Sequence, residues 1–131
     1  MDVLVVEDAP ALRRWLVDRI AEAAPSAALC DAGNGADAAR LVRDHDPAVV
    51  VLDLGLPEDA DDPLPDTAVG LRLLEALCRR RPRPVVAVVS SFSLGSEAMR
   101  LGADAFIAKR PSTLWVDLRR FLSAALKLDP G

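Results

Sequence analysis

The sequence is short of the residues from which most metal and hydrolytic sites are built. It has two cysteines, Cys30 and Cys78, far apart and in no metal-ligand spacing, and one histidine, His45. No metal-ligand pattern and no Ser/His/Asp or Cys/His arrangement stands out. The two thiols read as reduced and buried. His45, beside Asp46 near a helix end, reads as a surface residue rather than half of a metal pair. Tyrosine is absent, and aromatics amount to three Phe and two Trp. Of the tryptophans, Trp15 is predicted to be core. Basic charge is not in excess: the formal net charge is −4, which argues against a nucleic-acid or anionic-membrane surface. No basic segment precedes the first apolar run, so no signal peptide is expected, and no apolar run approaches the length of a membrane span. A cytoplasmic location is the expectation.

What the sequence does have is a set of short apolar runs that end in polar residues. Val49-Val50-Val51-Leu52 runs without alternation and stops at Asp53. An unbroken β-branched run reads as a strand buried on both faces, as in a parallel sheet covered by helices. Val3 to Val6 ends in Glu7-Asp8, Val85 to Val89 in Ser90-Ser91, and Ala105 to Ala108 in Lys109. A weaker strand is predicted at Ala27 to Cys30.

Helical spacing separates these runs. Leu12, Trp15, Leu16, Ile20 and Ala23 mark a first helix, with Asp8 as its predicted cap, Pro10 in its first turn and Arg13, Arg14 and Asp18 facing water. Gly33-Asn34-Gly35 reads as a turn before a second helix over 36–44. Its match to a dinucleotide pattern is literal only, because it follows the second strand and lacks the later acid. A third helix is predicted over 70–80, a short fourth over 97–101 and a fifth over 113–126. The order is βα repeated five times, an α/β fold with a doubly wound, five-stranded parallel sheet. One domain over 1–131 is expected, with no output domain.

In open parallel sheets, chemistry gathers at the carboxyl ends of the strands. Glu7, Asp8, Asp53, Ser90 and Lys109 are thus predicted to meet at one edge. Clustered carboxylates suit a hard cation such as Mg²⁺, held by one or two carboxylates, a carbonyl and waters. A carboxylate can attack phosphorus, with the metal and a lysine offsetting charge on the transferring oxygens. Ser90 could donate to a phosphoryl oxygen, with Ser91 as the nearby competitor.

The segments Val-Leu-Val-Val-Glu-Asp at 3–8, Val-Val-Val-Leu-Asp-Leu-Gly-Leu-Pro at 49–57, Gly-Leu-Arg-Leu-Leu at 70–74 and Leu-Gly-Ala-Asp-Ala-Phe-Ile-Ala-Lys at 101–109 together resemble a response regulator receiver domain of a two-component system. The resemblance covers nearly the whole chain. It implies a flavodoxin-like strand order 2-1-3-4-5. It implies that Asp53 accepts a phosphoryl group from a sensor histidine kinase or phosphotransfer protein. Asp8, Asp53 and the backbone carbonyl of Gly55 would bind Mg²⁺, with Glu7 acting through a water. Ser90 and Phe106 would be the switch residues, and Lys109 the cationic partner of the phosphoryl group. A downstream protein would dock on the face formed by the fourth helix, fifth strand and fifth helix.

Three departures stand out. Between Pro57 and Gly70 the chain is about nine residues longer than is usual for the family. The extra stretch, from about 58 to 69, is acidic and proline-rich, and is predicted either to be a solvated loop or to select the phosphodonor. Between Ser90 and Gly102 the chain is shorter by roughly one helical turn. Arg110 stands between Lys109 and Pro111, where the family commonly has a proline directly after the lysine. A cis Lys109–Arg110 bond is expected here, at a cost of about 3 kcal/mol. Two other functions compete: a degenerate receiver that binds partners without phosphate, and a Mg²⁺-dependent aspartyl phosphohydrolase. The second needs an Asp-x-Asp motif, and Gly55 stands at its second acid.

Overall fold

The strands form because both of their faces are covered. In the computed structural model, which describes residues 2–62, 64–91 and 93–128, β1 (Asp2–Val6), β3 (Val49–Leu52) and β4 (Val85–Ser90) are almost wholly buried. Alternate side chains serve two cores. Val3, Val5, Val49, Val51, Ala87 and Val89 pack on one face against Leu16 and Ile20 of α1 (Pro10–Ala23) and Leu114, Leu118 and Leu122 of α5 (Leu114–Leu126). Leu4, Val6, Val50, Leu52, Val86 and Val88 pack on the other, against α2 (Gly35–His45), α3 (Thr67–Cys78) and α4 (Gly95–Leu101). Each buried Val or Leu contributes about 1.5–3 kcal/mol of transfer free energy. That is why polar residues occur only at the ends of these strands, at Asp2 and Ser90.

All four strand pairings are parallel, and the order is β2-β1-β3-β4-β5, with β2 (Ala28–Ala32) and β5 (Ala105–Ala108) at the edges. The predicted α/β sheet and its strand order are both present. No described helix is long and apolar enough to cross a membrane.

Several local expectations are corrected. Asp8 does not cap α1: the cap position is Ala9, without a side-chain hydrogen bond. β2 runs to Ala32, two residues past its predicted end, because β1 pairs with it along its whole length. α3 starts at Thr67 rather than Gly70, because the Asp66 carboxylate accepts from the Ala68 N–H at 2.8 Å and opens the helix earlier. The Lys109–Arg110 bond is trans, and the cis bond among the described residues is Arg81–Pro82. With no proline at 110, a cis bond there has no compensation for its cost. Trp15 is half-buried rather than core, and meets Trp115 edge-on at 6.2 Å.

The long β3–α3 connection is anchored at its base. Leu56 and Asp66 form an antiparallel bridge. Glu58 pairs with Arg72 at 2.6 Å. The carbonyls of Pro57 and Glu58 accept from the first N–H groups of α2, at Gly35 and Ala36, both at 2.9 Å. Those donors have no partner within their own helix, so the loop completes the helix end. Gly70 lets the loop close, because a Cβ there would overlap the backbone of Leu54. α4 has seven residues, as short as the spacing predicts.

Candidate functional site

The acids are brought together by the sheet ladder continuing past the strand ends. The Glu7 N–H donates to Ala32 O at 3.0 Å, the Asp53 N–H to Val6 O at 2.9 Å, and the Lys109 N–H to Ser90 O at 3.1 Å. Each polar residue is thereby held in register with the strand beside it. Glu7, Asp8 and Asp53 each offer one carboxylate oxygen within 4.8 Å of the others. Glu7 and Asp53 are 1% and 4% exposed, so water does little to screen them.

Lys109 reaches across from β5. Its Nζ lies 2.5 Å from Glu7 Oε1 and 3.0 Å from Asp53 Oδ2. The contact with Glu7 is an ion pair without hydrogen-bond alignment, and Glu7 Oε1 is left buried with no well-directed donor. The other Glu7 oxygen accepts from the Ala9 N–H at 3.2 Å. The Gly55 N–H points at Asp53 Oδ1 from 3.4 Å.

Electrostatics follow from this count of charges. Three carboxylates face one ammonium, so two negative charges stay uncompensated. Asp8 accordingly has its pKa raised, by burial first and then by its hydrogen bond to Glu7 and the Glu7 charge. Burial pulls the Lys109 pKa down, but the Glu7 and Asp53 carboxylates outweigh it and the net shift is upward. A clustered carboxylate set with an under-satisfied buried oxygen is suited to a hard divalent cation. Such a cation would lie beside a carboxylate, a group able to act as a nucleophile.

The other predicted residues lie on the same strands or in the loops that follow them. Ser90, the last residue of β4, is 1% exposed and pairs with Ala108 in the register of β5. Ser91 is exposed and lines the recess that opens on Lys109. Gly55 is buried two residues past Asp53. Phe106 is half-buried in β5, with its ring against Gly95 at the start of α4.

One residue near the pocket differs from expectation. Arg13, predicted to face water, turns inward. Its Nη1 donates to the Glu7 carbonyl at 2.8 Å and its Nε pairs with Asp31 at 3.0 Å. The sequence signal is divided between Arg13, Asp31 and Gly33, and none of the three is informative alone.

Comparison with known proteins agrees with the geometry. The sequence matches the family described as response regulator receiver domain over residues 3–115. A protein-glutamate methylesterase/protein-glutamine glutaminase from Geobacillus kaustophilus is 33% identical over 120 residues, which is 88% of this chain and 32% of the relative. A second protein so described, from Pseudomonas aeruginosa, is 38% identical over 114 residues, 83% of this chain and 30% of the relative. The chain thus spans about a third of the length of these curated relatives. Among solved structures, the receiver domain of a DNA-binding response regulator from Colwellia psychrerythraea superposes with a TM-score of 0.80 at 20% identity, over 97% of this chain and 98% of that one. The phosphorylated cyanobacterial phytochrome response regulator RcpA gives 0.77 at 20% identity, over 99% and 98%. These structural likenesses carry the fold, and the sequence match carries the family: the chain belongs to the response regulator receiver domains of two-component signal transduction.

Proposed function

We propose that Asp53 accepts a phosphoryl group from the phosphohistidine of a sensor histidine kinase or phosphotransfer protein. An Asp53 carboxylate oxygen attacks phosphorus, the bond from phosphorus to the histidine nitrogen breaks, and the imidazole leaves. Asp8, Asp53 and the Gly55 carbonyl would hold Mg²⁺, with Glu7 acting through a water. Mg²⁺, when bound, would neutralise charge on the transferring oxygens. Lys109 adds a second positive charge on the side of β5. The Ser90 hydroxyl donates a hydrogen bond to a phosphoryl oxygen, and Phe106 follows by repacking against α4. Phosphate adds roughly two negative charges, and the resulting bias between two arrangements of β4 and β5 is read by a target on the α4–β5–α5 face. We read the chain as one such signalling unit acting in the cytoplasm with its kinase.

The observation that carries this reading is the Lys109 ammonium, 3.0 Å from an Asp53 oxygen across 56 positions of sequence. A recess of about 400 Å³, lined by Leu12, Trp15, Lys109, Pro111 and Leu114, opens on the same lysine and gives a protein donor an apolar foothold. The phosphohydrolase alternative is disfavoured by Gly55, and the degenerate alternative by the assembled acids. The methylesterase activity named for the relatives belongs to proteins about three times as long, and we do not extend it to this chain.

The test is incubation with a small acyl phosphate and Mg²⁺, followed by mass spectrometry. Incorporation at Asp53, abolished in Asp53→Asn, is expected. Undiminished incorporation in that variant would identify another acceptor. We also infer that the acidic loop influences donor choice. Replacing 58–66 by a short turn is expected to change transfer rates from the cognate kinase, and unchanged rates would remove that role.

A further inference from the structure

Arg13 is the one charged side chain of α1 that both leaves solvent and touches the acidic turn. Its guanidinium spans two elements. Nη1 donates to the Glu7 carbonyl at 2.8 Å, and Nε pairs with the Asp31 carboxylate at the end of β2 at 3.0 Å. The carbonyl it grips belongs to the peptide that joins Glu7 to Asp8, the two acids contributed by this turn. Gly33 forms the slot: a Cβ there would overlap Arg13 Nη1. Gly33 does not lie in the left-handed region, so the slot, and not backbone strain, is what its missing side chain supplies.

An ion pair whose acid is 47% exposed contributes little to stability on its own. The fork geometry has a better use. A planar guanidinium fixed at one corner by Asp31 presents its other corner in a set direction. The peptide between the two acids then cannot rotate freely, and their carboxylates are delivered to the pocket together. Without this hold, the turn would be free to swing its two carboxylates apart.

We propose that Arg13 is a positioning residue for the acidic pocket. It clamps the Glu7–Asp8 peptide in cation-binding geometry, with Asp31 as its counter-ion and Gly33 as its slot. This rests on the reading of Glu7, Asp8 and Asp53 as a divalent-cation site.

The experiment titrates the full chain, freed of metal, with Mn²⁺, and reads unbound Mn²⁺ by electron paramagnetic resonance. Groups that orient metal ligands typically change affinity by about tenfold or more when removed. Arg13→Met is therefore expected to weaken binding about tenfold. Arg13→Lys should recover part of this, since an ammonium can engage one of the two partners. Gly33→Ala keeps the charge but displaces the guanidinium, and should weaken binding in the same direction. The double variant Arg13→Met/Gly33→Ala should bind no more weakly than Arg13→Met alone, because both act through one contact. Urea melts in EDTA check folding, and if Arg13→Met fails to fold, Gly33→Ala and Arg13→Lys carry the test. Arg13→Met binding within twofold of the wild type, or additive losses in the double variant, overturns the proposal while leaving the cation site intact. Wild-type chain that binds no Mn²⁺ overturns both.

Discussion

Lys109→Met is the perturbation that most directly weighs the pocket's charge balance. The lysine sits 2.5 Å from Glu7 Oε1 and 3.0 Å from Asp53 Oδ2. At an effective dielectric of about 20, a pair at about 3 Å is worth about 5 kcal/mol before reorganisation. Removing one partner of a buried pair costs about 3–5 kcal/mol, because the abandoned charge stays buried. The Lys109 side chain is 18% exposed, so water can reach the charges it abandons. We therefore expect a loss near the lower end, about 3 kcal/mol. For a domain of this size that lowers the melting temperature by about 10 °C. The raised Lys109 pKa fixes the pH window. Its contribution is complete below the ordinary value of 10.5 and is lost only as pH climbs through the higher folded value. A measurement at neutral pH therefore captures the whole effect. The assay is thermal unfolding followed by circular dichroism in EDTA, then with added Mg²⁺. The cation should stabilise the variant more than the wild type, and Glu7→Gln in the variant background should recover part of the loss. A variant melting within about 2 °C of wild type in EDTA, less than about 1 kcal/mol, would refute the claim that this lysine offsets the acids.

Three further outcomes follow from the same structure. Asp8→Asn should raise the urea midpoint of the metal-free chain while weakening Mn²⁺ binding, because the fold disfavours ionised Asp8 and a raised carboxyl pKa removes stability as pH rises through it; a lower midpoint would contradict this. Gly70→Ala should destabilise the chain by several kcal/mol, roughly the scale of forced overpacking, because the new methyl would meet the Leu54 backbone rather than a side chain able to move; chemical denaturation checks it. The Cys30 thiol has its pKa raised above 9.0 by burial and by the charges of Asp2 and Asp31. It should alkylate several-fold more slowly in native chain than in urea at pH 8.5, and its contribution to stability should fade as pH rises past 9.0; peptide mass spectrometry reads the rate.

Residues near one another in the chain made most of the architecture readable. The unbroken runs at 3–6, 49–52 and 85–89 demanded cover on both faces, and only a parallel sheet between helices supplies it. Acids placed just after two of those runs, and a lysine just after the run at 105–108, had to arrive at one edge, since strand length and direction leave them nowhere else. The shortness of α4 and the insertion after Pro57 were likewise matters of counting.

Other features were decided between segments far apart in sequence. Whether Asp8 caps a helix or faces Asp53 depends on β3. Arg13 looks like a solvated face of α1 until β2 brings Asp31 and Gly33 to it. The base of the acidic loop is ordered by donors at the start of α2 that local pattern cannot reveal. Sequence alone determined which side chains are apolar enough to be buried and where the chain must turn, because those are local free energies. Only the tertiary structure determined which charges share a pocket and which guanidinium holds it, because Coulomb and hydrogen-bond energies depend on distances that the packed sheet sets.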